Sequence, residues 1–136
     1  MIRVLLTVTA TWSIALFLAV APLSSQMRGL HPLTLPLECP EGYCILLAGA
    51  PQTTGMRSGF VRLKPGGTIG WHTTGENEET LVILRGQGEA VIEGQPKLAF
   101  AAPRLAYIPP ASRHNVTNTG EGPLEYVFVV APAKLK

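Results

Sequence analysis

The chain has 136 residues, 46% apolar and 15% charged, with a net charge of +2. Soluble proteins average about 25% charged residues, so the composition excludes a disordered polyelectrolyte or a charged coiled coil, and the length suits one domain. No basic cluster is present, which excludes an electrostatic footprint for nucleic acid, and the nine acidic residues are all Glu, so carboxylate chemistry falls to glutamate.

The N-terminal stretch "MIRVLLTVTATWSIALFLAVAPLSSQ" has one early cation, Arg3, then a nearly uncharged run from Val4 to Val20 and small residues at Ala19 and Ala21. This is the pattern of a secretory signal peptide over residues 1–25. The run is also close to the length that spans a bilayer, so a signal anchor over residues 4–20 is the second reading. Either way the chain is expected to be exported, periplasmic or secreted, and to meet the membrane only through this segment. Residues 26–43 read as an extended linker, because Pro32, Pro36 and Pro40 interrupt any helix.

Cys39 and Cys44 flank "PEGY". Pro40 and Gly42 favour a tight turn, and in an exported chain the pair reads as a small structural disulfide. Two unpaired thiols are the other reading.

From there the pattern is β. "CILLAGA", "GMRSGFVRLKP", "TIGWHTT", "ETLVILRG", "EAVIEG", "KLAFAAP", "RLAYIPP", "RHNVTNT" and "PLEYVFVVAP" are short runs separated by Gly- or Pro-rich turns. In the second run Phe60, Arg62 and Lys64 alternate with Val61 and Leu63. Eight or nine such strands over residues 44–132 predict an all-β sandwich or barrel. Phe60, Tyr126 and Phe128 are expected in its core. Trp71 is expected to face away from its neighbour His72. Asn118 reads as a turn-fixing side chain. "NVT" at Asn115 matches a glycosylation pattern, but the strand around it belongs to the barrel.

His72 and Thr74 are two residues apart and share a strand face. Glu79 opens the next strand, and His114 begins a later one. Imidazole with carboxylate suits Fe, Mn, Ni, Zn or Cu, and two His with one carboxylate leave coordination positions open. A small closed barrel is what would bring three strands together at one point.

At these positions the chain resembles the cupin family, in its small single-domain form. Gly66, His72, Thr74, Glu79 and Gly86 follow the spacing of the first cupin motif, G-x5-H-x-H-x3–4-E-x6-G, with Thr74 where the second His stands. Pro109, Ala111, His114 and Asn118 follow the second motif, G-x5-P-x-G-x2-H-x3-N, with Ala111 and Pro103 at its glycine positions. The resemblance covers roughly residues 45–130. It implies a double-stranded β-helix, a jelly-roll-like barrel, with a divalent transition metal held by His72, Glu79 and His114. Thr74, a weak ligand for such a metal, and Tyr107 are candidate pocket residues. No separate catalytic residue is assigned. The resemblance leaves open a metal-dependent enzyme, a dioxygenase or an isomerase, acting on a small molecule. It equally leaves open a metal-free small-molecule binding or interaction module. Edge strands make a homodimer the expected assembly.

Overall fold

The computed structural model describes residues 30–133. The expected signal or anchor over residues 1–25 lies outside them. Nine strands follow in order: β1 Gly42–Ala48, β2 Arg57–Leu63, β3 His72–Thr73, β4 Asn77–Arg85, β5 Gln87–Ile92, β6 Leu98–Ala101, β7 Arg104–Ile108, β8 Arg113–Asn118 and β9 Leu124–Pro132. There is no helix among the described residues. One sheet has the order β1-β2-β9-β4-β7 and the other β3-β8-β5-β6. All pairings are antiparallel. This is the jelly-roll barrel expected from the sequence.

The period of two explains which residues face inward. On β4 Glu79, Leu81 and Ile83 are buried, while Glu78, Thr80 and Val82 are partly exposed. On β8 His114, Val116 and Asn118 face the interior together. The two inner faces meet in one core that includes Leu63, Leu81, Ile83, Phe100, Ile108 and Leu124. Burying each of these large side chains contributes about 1.5–3 kcal/mol before conformational entropy is counted.

Three features differ from the simplest reading. The first strand starts at Gly42, two residues ahead of the expected barrel boundary. The strand expected over "TIGWHTT" shortens to His72–Thr73 plus an isolated bridge from Thr68 to Thr117. Gly70 causes this: its φ of +88° is outside the strand region and turns the chain just before His72. Phe60 does share a face with Arg62 and Lys64, but it is buried there. It lies directly opposite Cys44 on the outside of the barrel, and Cys39 is buried too. Cys39 and Cys44 are joined by a disulfide, so the linker end is stapled to the first strand beside Phe60.

Asn118 holds the β8–β9 end of the barrel. Its side-chain amide donates to the carbonyls of Leu63 (2.9 Å) and Gly122 (2.8 Å), and its oxygen accepts from the Gly120 N–H (2.9 Å). Gly86, at φ +79°, closes the β4–β5 turn against the Pro123 carbonyl, where a Cβ would collide.

Candidate metal centre

Strands β3 and β8 place His72 directly opposite His114. Their ring centroids are 4.2 Å apart. Glu79 comes from β4 in the other sheet, so the cluster bridges the two layers. One ligand atom from each of the three lies within 4.8 Å of the others. His114 is fully buried and Glu79 nearly so.

The backbone orients both imidazoles. Nδ1 of His72 lies 2.9 Å from the Gly70 carbonyl, and Nδ1 of His114 lies 3.0 Å from the Ser112 carbonyl. A carbonyl only accepts, so each Nδ1 carries a proton and donates it there, which turns each Nε2 to the cluster. Gly70 is held in turn: its N–H donates to Oδ1 of Asn115 at 2.9 Å, and the Thr68 hydroxyl donates to the same oxygen at 2.6 Å. Asn115 therefore positions His72 through Gly70, a role that its glycosylation-like pattern does not announce.

Nε2 of His114 is 3.1 Å from Oε2 of Glu79. The contact lacks hydrogen-bond geometry, and both atoms are buried without a hydrogen-bond partner among the described residues. An orphaned buried polar atom costs about 1–3 kcal/mol. A divalent cation held there would satisfy both, since imidazole nitrogen and carboxylate oxygen are both donors to such metals. The residues present therefore fit a divalent metal. The local electrostatics agree. Burial by itself would lower the His114 pKa, but the Glu79 carboxylate and the Ser112 carbonyl outweigh it and hold the group above its ordinary value. The site favours positive charge.

Thr74 is buried at the same cavity but serves the turn into β4. Its hydroxyl donates to the Asn77 carbonyl at 2.8 Å, and the Asn77 side-chain amide donates back to the Thr74 carbonyl at 2.8 Å. The motif position that normally carries imidazole has become a turn clamp.

The cavity, about 310 Å³, runs from His72 and Glu79 towards the β1 edge. Val61, Val116, Tyr126 and Phe128 form its apolar wall. Tyr107 does not line it. Ala106 and Ile108 occupy the inward positions of β7, so Tyr107 faces outward, where its hydroxyl donates to Glu78 at 3.1 Å. The tyrosine inside is Tyr126. Burial, and then the Glu79 charge, push its pKa well above the usual phenol value, so the hydroxyl keeps its proton. Arg57 also lines the cavity and was not singled out by its sequence pattern. Its parity with Val61 and Leu63 was the available signal. Trp71 faces out, as its alternation with His72 predicts, and Arg113 stacks over its ring at 4.9 Å.

A family model for the cupin domain matches residues 59–130, more than half of the chain. This chain belongs to the cupin family. The cupin domain of Cnp3 from Schizosaccharomyces pombe shares the fold, with a TM-score of 0.61 at 15% identity over 74% of this cupin and 70% of that chain. A cupin 2 conserved barrel domain protein from Salinispora arenicola gives 0.57 at 25% identity, over 76% and 87% of the two chains. A cupin protein from Bacteroides fragilis gives 0.59 at 19% identity, over 78% and 87%. No curated protein matches the chain. Within this cupin the second motif departs at Ala111, which takes φ +57°, a left-handed conformation suited to the motif glycine.

Proposed function

We propose that this cupin is an exported protein that holds a divalent transition metal (Fe, Mn, Zn, Ni or Cu) at His72, Glu79 and His114. It binds or acts on a small molecule in the adjoining cavity. The observation that carries this reading is the buried, unpartnered pair of Glu79 Oε2 and His114 Nε2, aimed at one point with a third donor in reach. Such a metal supplies Lewis acidity, or redox chemistry if it is Fe, Mn or Cu, at its open positions. The chain's own part is orientation and exclusion of water. Gly70 and Ser112 fix the imidazoles, and the apolar wall from Val61 to Phe128 shields the ligand.

Export is supported by the N-terminal pattern and by the Cys39–Cys44 disulfide, a bond that persists in oxidising compartments. A homodimer is supported by the edge strands: Tyr43 and Ile45 on β1 and Leu105 on β7 expose apolar side chains. Light scattering of the purified chain tests it, and a monomer at micromolar concentration would remove that part. Thr74 favours a second reading, a metal-free binding barrel, because it subtracts one imidazole from the site.

The deciding experiment is the metal content of the untagged protein by plasma mass spectrometry, beside His72→Ala and His114→Ala. Near-stoichiometric metal lost in both variants supports the metal centre. No metal after Fe(II), Mn(II), Zn(II), Ni(II) and Cu(II) have been offered overturns it in favour of the metal-free barrel.

A further inference from the structure

The cavity has a second polar pole. Arg57 sits at the start of β2 on the same face as Val61 and Leu63, so its strand position points it inward. It lines the cavity mouth beside Tyr43 and Ile45. Arg57 and Glu79 stand in one rank across the sheet, since both pair directly with Val130. Two strand spacings put their backbones about 10 Å apart, so the rim cation and the His–Glu–His cluster face one small chamber.

Arg57 has no salt-bridge partner among the described residues. Arg62, Lys64, Arg85, Lys97 and Arg113 each have a carboxylate within 4.0 Å. Arg57 and Glu79 do not form a pair of their own. The guanidinium is exposed at the open mouth and offers a planar fork of donors that matches a carboxylate. Between the two poles the wall is apolar and aromatic, with Tyr126 and Phe128 on β9. A cavity of about 310 Å³ lies at the small end of ligand sites.

We propose that the cavity takes a small organic acid, its carboxylate held by Arg57 at the rim and its apolar body lying against Tyr126 and Phe128. This rests on the reading of the cavity as a small-molecule site and adds the charge class of the ligand. A neutral ligand of the same shape leaves the Arg57 fork unused, and an amine meets it as a like charge.

The test is a calorimetric titration of the full chain with phenylacetate and with its neutral isostere phenylacetamide, each with and without a metal chelator. Phenylacetate is expected to bind about tenfold more tightly than the amide. Arg57→Gln should remove that preference, and Arg57→Lys, which keeps the charge but not the fork, should retain part of it. Arg57 is exposed at a strand start, and unchanged melting temperatures of both variants verify folding. If acid and amide bind alike, the charge class is wrong while the cavity remains a small-molecule site. If neither saturates, the cavity reading falls, and this proposal with it. A preference that survives in Arg57→Gln, or that vanishes with the chelator alone, assigns the carboxylate elsewhere and overturns the role of Arg57.

Discussion

His72 and His114 lie directly opposite one another across the β3–β8 pair, with ring centroids 4.2 Å apart and planes inclined at 60°. Each ring is pinned by the carbonyl two residues before it, at Gly70 and at Ser112. Backbone carbonyls therefore set the orientation of both imidazoles. Glu79 completes the cluster from the facing sheet, so the site exists only when both layers of the barrel are packed.

The position that departs from the family motif makes the site improvable. Thr74→His places a further imidazole at the cavity beside His72, where Thr74 already lines the wall. Metal retention against a chelator is expected to rise at least about tenfold, since imidazole is a far better ligand than a hydroxyl. The variant loses the Thr74–Asn77 hydrogen bond, which costs about 1 kcal/mol of stability. Retention equal to that of the parent would mean that position 74 does not reach the cluster.

Ala111 carries strain that glycine would release. It is the one non-glycine residue with positive φ among those described, and a left-handed conformation costs an L-residue about 1–2 kcal/mol. Ala111→Gly is expected to stabilise the protein by about 1 kcal/mol, partly offset by the greater freedom of glycine in the unfolded chain. For a domain of this size the melting temperature would rise by roughly 4 °C. The Ala111 N–H to Gly75 carbonyl bond uses backbone atoms only and is kept. A lower melting temperature would show that the backbone there is not strained.

Asn118 is 1% exposed and makes three hydrogen bonds to backbone groups. Asn118→Ala should cost about 2–4 kcal/mol, because the Leu63 carbonyl is left buried without that donor. Asn118→Asp keeps the shape but turns two donors into acceptors facing two carbonyls, so it should cost at least as much. Urea denaturation measures both. An Asp variant as stable as the parent would argue that volume, and not hydrogen bonding, makes this position matter.

The Cys39–Cys44 bond closes a short loop. Loop-closure entropy for so few residues is worth about 2 kcal/mol. Thermal melts with and without reductant should differ by that amount, and the barrel should stay folded because Cys39 lies outside the main core cluster. Loss of cooperative unfolding on reduction would show that the staple is essential to the barrel.

Most of the strand plan was legible in the sequence. Turn residues mark the ends of every run, and apolar alternation marks the strands between them. His72, Glu79 and His114 could be picked out by motif spacing. Tyr107 shows where such reading stops. In "RLAYI" one parity holds Leu105 and Tyr107 and the other Ala106 and Ile108, and both are apolar. Periodicity alone does not say which faces inward. Pairing of β7 with β4 decides it, setting Ile108 against Glu79 and Ala106 against Leu81 on the inner face.

The local pattern of residues determined by itself that this chain is a β barrel, with three metal-type donors at strand starts and a pair of cysteines close enough to bond. Those properties depend on spacing of two and on turn chemistry, which act over a few residues. Tertiary structure alone decided that the donors meet across two sheets, that Tyr126 and Arg57 face the same cavity, and that Asn115 steers His72 through Gly70. Each of these rests on strand pairing between residues far apart in the chain, and register is set by the packing of whole faces, which no local stretch contains.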